Sequence, residues 1–446
     1  MVPVRMTRRG FLTAGAGVVA TIAAGAAVWP RTSPVVTLWH VWSASREALM
    51  RDLLAEFAQR EPGIAVEAQL VQPDLMQAKV VAAVRDRSLP DVVSLHTDWF
   101  ADIDAGQEFA DLGPVVADLD LDRLLLPRDL ARNRRAGRLR ALPNTVAGAM
   151  SLAYLDLPRL RAHGIDPDPR WTFEAFTADS ARYVRAVNGP ERLGVIAWDP
   201  FIESGHPSLL PFAFGAGEPT VGADGRRSRL DAPGIARVTA AFDQYVEEVY
   251  GPWGGYRGLL AWRNREAGIV SVGNVHGPLT RGVQGFLFTG SWAVSMIRSG
   301  HPELDFAIRP LPGLDRPHGG IACNAWSYAL RPDAAAPGSA AARLLRWLTV
   351  DPAGNGAFCR RQLRPCPIAE VNRHPDYAVL GAAWNDLQAV MATDVPFTGS
   401  VHEHVLTPWW REVPVRRVTG EPMAAIVADL HRRYQAYLDG LPRSAG

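Results

Sequence analysis

Lysine is nearly missing from this chain: Lys79 is the only one among 47 basic residues. Arginine carries the rest of the positive charge, and 46 acidic residues balance it to a net charge of +1. So close a balance provides no global field to hold a polyanion, which excludes nucleic acid or an anionic membrane as a partner selected by charge. Long blocks of one sign are absent as well. The densest basic stretch, Arg132, Arg134, Arg135, Arg138 and Arg140, has no interleaved aromatic residues. It reads as a solvated face or a hairpin, not as a single-strand binding surface. Cysteine is equally scarce. Cys323, Cys359 and Cys366 form no Cys-x-x-Cys pair, which removes the usual zinc and dithiol spacings. Cys359 and Cys366 lie close enough in sequence for a disulfide in an oxidising compartment, and equally for two separate thiols. There is no Gly-x-Ser-x-Gly nucleophile elbow, no internal repeat and no low-complexity tract.

What is present begins with an address. Thr7-Arg8-Arg9-Gly10-Phe11-Leu12 precedes an apolar, Ala/Gly-rich run that ends at Val28 and contains Ala24-Gly25-Ala26. This pattern reads as a twin-arginine export signal over residues 1–33, with small residues where a signal peptidase would cut. The run is short and glycine-rich for a membrane span and has no cysteine for a lipid anchor. The competing reading is an uncleaved N-terminal anchor. Either way the expected location is periplasmic or extracytoplasmic. The remaining chain, with 48% hydrophobic and 21% charged residues over a total of 446, is rich enough for folded domains with sizeable cores.

Periodicity alternates between two classes. Val35-Val36-Thr37-Leu38-Trp39 reads as a strand, followed by His40-Val41-Trp42 and a helix with Leu49, Leu53, Leu54 and Phe57 on one face. Glu61-Pro62-Gly63 stops that helix. Ile64, Val66, Ala68 and Leu70 alternate as a second strand, residues 75–85 as a helix, and residues 89–95 as a buried third strand. Strand–helix–strand–helix–strand implies a parallel sheet, whose ligands bind beyond the carboxyl ends of the strands. Trp39, His40, Trp42, His96, Asp98 and Trp99 fall at those ends. Further on, Trp171-Thr172-Phe173 opens a helix with Thr172 as cap, and residues 235–250 are helical. Residues 250–262 read as a glycine-rich aromatic loop, residues 305–313 and 321–330 as strands, and residues 341–349 and 424–438 as helices. The most informative stretch is Gly285-Phe286-Leu287-Phe288-Thr289-Gly290-Ser291-Trp292. It reads as a buried strand that breaks at Gly290, with Ser291 capping a helix and Trp292 in its first turn. Backbone donors beside an amphipathic ring suit a polyhydroxylated ligand.

The order of these motifs resembles the family 1 extracellular solute-binding proteins of ABC importers, the sugar-binding branch. The resemblance is carried by Trp39-His40-Val41-Trp42, Pro90-Asp91-Val92-Val93, Leu142-Pro143, Trp171-Thr172-Phe173-Glu174-Ala175-Phe176, the Phe288 to Trp292 corner, Pro310-Leu311-Pro312-Gly313, Gly319-Gly320, Trp347-Leu348-Thr349 and Pro365. It implies an α/β, two-lobed periplasmic-binding-protein fold of type II, with a hinge and an interlobe ligand cleft. Lobe one would hold residues 34–143 plus 321–364, and lobe two residues 144–320 plus 365–446. The chain would cross between them near residues 144–147, 319–322 and 364–367. The implied function is capture of a carbohydrate or polyol for a membrane ABC permease, by a monomer without cofactor.

A sugar offers C–H faces to indoles and hydroxyl edges to amides, carboxylates and arginine. On that chemistry the ligand contacts expected from lobe one are Trp39, His40, Trp42, Asp98, Asn324 and Trp326. Those from lobe two are Asn144, Tyr154, Trp198, Ser291 and Trp292, with Arg364 at a crossing. Asp91 reads as a structural cap. Three rival readings stand beside this one. A carbohydrate-active enzyme needs two opposed carboxylates, and no pair stands out by context. A metal protein would have to use His402, Glu403 and His404, without a second cluster of ligand spacing. A ligand sensor for a membrane receptor would keep the same fold and cleft.

Overall fold

The computed structural model describes residues 34–43, 45–96, 99, 103, 108–135, 137–146, 152–167, 171–201, 208–222, 225–266, 277–314, 321–322, 325–392, 395–396 and 405–441. The first 33 residues, Cys323 and residues 402–404 lie outside these. The principal elements, in chain order, are β1 (Val35–His40), α1 (Ser45–Arg60), β2 (Ala65–Leu70), α2 (Pro73–Arg85), β3 (Val92–His96), β4 (Leu142–Pro143), β5 (Leu152–Asp156), α3 (Phe173–Val187), α4 (Pro233–Tyr250), α5 (Tyr256–Glu266), β6 (Phe286–Thr289), α6 (Ala293–Gly300), β7 (Phe306–Pro310), β8 (Trp326–Leu330), α7 (Ala340–Thr349), α8 (Ala382–Ala392) and α9 (Met423–Asp439).

Lobe one is built on a five-stranded sheet in the order β2-β1-β3-β8-β4. The first three strands are parallel, as their helical crossovers require. The sheet as a whole is mixed, because β8 runs antiparallel to both β3 and β4. The alternation in β2 buries little: it is an edge strand with β1 as its one neighbour, and its residues stay largely exposed. The carboxylate of Asp91 stitches three strands together. One oxygen accepts from the Thr37 N–H and hydroxyl, both at 2.8 Å, and the other takes Arg331 at 2.8 Å. On the sheet, α7 is capped by Ser339 and buries Leu344, Leu345, Trp347 and Leu348. The Trp347 indole donates to the Leu53 carbonyl at 3.0 Å, locking α7 to α1.

Lobe two contains a three-stranded antiparallel sheet, β6-β5-β7. Every residue of β5 is buried because both faces of the sheet are covered. Leu152 and Tyr154 point into a core continuous with lobe one, whereas Ala153 and Leu155 join an aromatic core under α3, α4 and α9. The stretch over residues 250–262, expected as a loop, is largely helix. A short 3₁₀ turn, Gly251–Trp253, leads into α5, which buries Tyr256, Leu259 and Trp262 at helical spacing. The basic stretch takes its hairpin form, with Arg134–Arg135 paired to Arg138–Leu139. Cys359 and Cys366 are buried, unlinked thiols.

Ile321–Ala322 pairs in parallel with Val395–Pro396, a two-residue ladder separate from both sheets. After Arg364 the chain runs beside the Leu125–Leu126 segment. The Leu126 N–H donates to the Pro367 carbonyl at 2.9 Å, and Ile368 bridges to Leu125. Farther on, α8 docks on the lobe-two sheet, where Asp386 pairs with Arg309 of β7 at 2.8 Å.

Beyond β1 the chain turns on His40, which is buried and accepts the Trp42 N–H on Nδ1 at 3.3 Å. That bond needs a bare Nδ1, and burial pushes the imidazole pKa down to about 4. A depressed histidine pKa means that the unfolded chain takes up the proton first. The neutral ring therefore contributes its full stability above pH ~6.5, and the contribution falls away as pH drops toward 4. At about 1.4 kcal/mol per pH unit, the loss reaches about 3 kcal/mol. His40→Asn, whose amide oxygen can still accept the Trp42 N–H, is expected to flatten this acid slope in urea unfolding between pH 6.5 and 4. An unchanged slope would contradict the assignment.

Candidate ligand-binding cleft

The carboxyl ends of β1 and β3 and the start of β8 come together on one side of lobe one. His96 ends β3 opposite Trp326, which starts β8. Their rings meet edge-on at 5.2 Å, and Trp99 closes the triangle at 5.7 Å from His96 and 5.3 Å from Trp326. His96 and Trp326 keep part of their surface exposed, while Trp99 is buried beneath them. The Trp326 carbonyl accepts the N–H groups of Asn144 and Thr145 at 3.0 and 3.1 Å. The first expected crossing is thereby fastened to this edge of the sheet.

The Phe288 to Trp292 corner lies at the end of β6. Trp292, not Ser291, is the N-cap residue of α6, and it caps without a side-chain hydrogen bond. Ser291 is therefore released from the expected capping role: its hydroxyl is buried with no hydrogen-bond partner. Such a group costs free energy unless something satisfies it. The half-buried Trp292 ring folds back across Gly290, where any Cβ would run into it. A Cβ here would displace the ring, so close approach and not backbone dihedral favours glycine. Behind the corner, the Tyr154 hydroxyl donates to the Gly290 carbonyl at 2.9 Å. Burial drives the Tyr154 pKa far up, so the phenol remains a donor.

Trp42 follows the end of β1. Sequence alone suggested a sugar-stacking ring, but the indole is almost completely buried. Its N–H donates to the Tyr328 hydroxyl at 3.0 Å and it meets the Phe358 ring edge-on at 5.2 Å. The guanidinium carbons of Arg46 and Arg364 each lie 5.6 Å from its centroid. Arg364 is 5% exposed, and its Nε is buried without a partner. Burial first, and then the charge of Arg46, lower its pKa to about 10, against the opposing influence of Cys359, Tyr154 and Tyr377. Arg46 was not among the residues expected from sequence. A cation in the first turn of α1 opposes the helix dipole, and that mismatch was the available signal.

The other expected residues take different posts. Trp39 is on the opposite face of β1 from His40, where the Lys79 ammonium lies 3.9 Å from its ring centroid. Asn144 is fully buried and anchored in lobe one: its amide donates to the Leu348 carbonyl at 2.8 Å and to Asn355 at 2.9 Å. Trp198 lies inside the aromatic core of lobe two, 4.7 Å from Phe288 and 5.5 Å from Phe242 between centroids. Asp98 and Asn324 lie outside the described residues. Among the described residues no group of three His, Cys, Asp or Glu could hold a metal ion, and no helix is long and apolar enough to cross a membrane.

The arrangement can be set beside known proteins. A family model described as bacterial extracellular solute-binding protein matches residues 42–354. Among curated proteins, none matches the chain by sequence. Solved structures are similar in fold. The sugar-binding protein MalE of Xanthomonas citri is 20% identical, covers 91% of this chain and 97% of its own, and superposes with a TM-score of 0.72. CpMnBP1 with mannotriose bound is 17% identical over 91% of this chain and 99% of its own, with a TM-score of 0.73. The GacH receptor of Streptomyces glaucescens, solved unliganded and with acarbose, is 17% identical over 90% and 98%, with a TM-score of 0.68. The fold is thus the two-lobed α/β architecture of these binding proteins, and the match over most of the length identifies the chain as a member of the bacterial extracellular solute-binding proteins.

Proposed function

We propose that this protein captures a carbohydrate or polyol between its lobes outside the cytoplasm and delivers it to a membrane ABC permease. The observation that carries this reading is the corner at Gly290-Ser291-Trp292. A half-buried indole, a buried hydroxyl without a partner and the first turn of α6 lie together at one strand end. The ring suits the C–H face of a sugar and the hydroxyl suits its edge. The ligands bound in the similar structures, mannotriose and acarbose among them, support the same class. Trp326 and His96 offer the facing surface from lobe one. In this reading Trp42, Asn144, Tyr154 and Trp198 hold the walls in place, Trp39 braces the outer face of β1, and Asp98 and Asn324 are further lobe-one contacts.

Ligand favours closure because only the closed form contacts it from both lobes. The hinge is assigned to the chain at Asn144 to Val146 and to the Ile321–Ala322 and Val395–Pro396 ladder. The protein acts as a monomer, is exported by its twin-arginine segment, and binds without turnover. Gene neighbourhood or co-purification with a permease separates import from receptor sensing.

A thermal-shift screen against mono- and oligosaccharides and polyols tests the reading, because binding to the native state raises the unfolding midpoint. At least one ligand is expected to raise it and to be recovered unchanged. Chemical turnover of the ligand, or no shift across the panel, would sink the proposal. Trp292→Ala is expected to weaken binding by about 2 kcal/mol, about thirtyfold, and wild-type affinity in that variant would remove Trp292 from the site. Gly290→Ala should weaken binding in the same direction with little change in the midpoint of the free protein, because its methyl group displaces the ring. Unaltered affinity would show that ring placement is immaterial.

A further inference from the structure

Arg46 and Arg364 form a pair of like charges at the junction of the lobes. Both guanidinium carbons lie 5.6 Å from the centroid of the same indole, Trp42. Among the described residues neither has an ion pair with a carboxylate. Arg364 is 95% removed from solvent, and the groups that perturb it are Arg46, Cys359, Tyr154 and Tyr377, none of them an acid at neutral pH. Burial without an acidic neighbour also marks Arg46. Several other partly buried arginines among the described residues have a carboxylate: Arg263 with Asp199, Arg309 with Asp386, Arg417 with Asp243, Arg416 with Glu421 and Asp429. Arg46 and Arg364 differ in sharing one indole, and the charge of Arg364 is felt by Tyr154, whose hydroxyl donates to the Gly290 carbonyl.

Two further features point the same way. Arg364 Nε and the Ser291 hydroxyl are both buried and both lack a partner. The first turn of α1, which carries Arg46, and the first turn of α6, which follows Ser291, add positive backbone ends. A forked guanidinium matches a carboxylate or phosphate with two parallel hydrogen bonds, which no neutral hydroxyl can do. Cation–π contact with Trp42 alone does not account for the choice of residue, since an apolar side chain would cover the indole without burying a charge.

We propose that the cleft is selective for an anionic carbohydrate or polyol, one bearing a carboxylate or a phosphate, whose charged group is held between Arg46 and Arg364 beside Ser291. This rests on the solute-capture reading above and narrows its ligand class. The charged group supplies the missing counter-ion, so ligand binding and the stability of the junction are linked.

Calorimetric titration of the full protein with matched pairs tests the proposal: glucose against glucuronate, galactose against galacturonate, glucose against glucose 6-phosphate, glycerol against glycerol 3-phosphate. In at least one pair the anionic member is expected to bind at least tenfold tighter, with affinity falling as salt rises. Whether the uronates or the phosphates show the preference identifies the charged group. Arg46→Gln and Arg364→Gln should each lose at least tenfold on that anion and leave the neutral partner within about twofold. Arg364 is the more buried, so Arg46→Gln decides the matter if Arg364→Gln fails to fold. Neutral members that bind as tightly as the anions in every pair would overturn anion selectivity and leave sugar capture standing. Wild-type anion affinity in Arg46→Gln would overturn the assigned site. Silence from every member, neutral and charged, with an unmoved unfolding midpoint, would overturn both.

Discussion

Positive charge buried without a carboxylate partner among the described residues is the constraint around which this junction is arranged. Removing a guanidinium from water costs on the order of several kcal/mol unless it is paired. The face of an indole returns at most about 2 kcal/mol of that in a desolvated setting. At Arg364 the indole of Trp42 is the partner available, so the junction has an unmet demand. Much of the local structure follows from it. Trp42 has to be held rigidly to support two cations, and it is: His40 takes its backbone N–H, Tyr328 its indole N–H, and Phe358 its edge. Tyr154 stays protonated and faces the Gly290 carbonyl, leaving Arg364 uncompensated.

The same demand links the two lobes. Arg364 and Trp42 belong to the lobe with the mixed five-stranded sheet, and Tyr154 and Ser291 to the lobe with the three-stranded one. A ligand that meets the charge, the hydroxyl and the Trp292 ring together must touch both. Closure then has a stated energetic cause: contacts that exist in one state and not in the other. The half-exposed Trp326 and His96 broaden the surface.

Much of the fold was legible because local rules and tertiary packing agree. The period of two in β1 and the period of 3.6 in α1 are separated by a clear break, and Thr172 caps α3 as its position suggests. Where the reading failed, a nonlocal term decided. Glycines around residue 254 concealed the helical spacing of Tyr256, Leu259 and Trp262, which packing in lobe two reveals. Ser291 looked like a cap, yet the helix starts one residue on, with Trp292 in the cap position and its ring against Gly290. The site was less legible still. The role of Trp42 depends on Tyr328, 286 residues away, and that of Asn144 on Asn355, 211 residues away. An aromatic or amide at a strand end reads identically whether its partner is protein or ligand. Arg46 could have been noticed by its unfavourable place on a helix dipole, but that it has no ion pair among the described residues is visible only in three dimensions.

The central claim is that one ligand bridges the Trp292 corner and the arginine pair. The crystal structure of the protein with the ligand that most raises its unfolding midpoint tests this most directly. The account predicts a ligand in contact with Trp292 on one lobe and with Arg46 or Arg364 on the other. A ligand bound to a single lobe, or one seated away from both arginines, would contradict it.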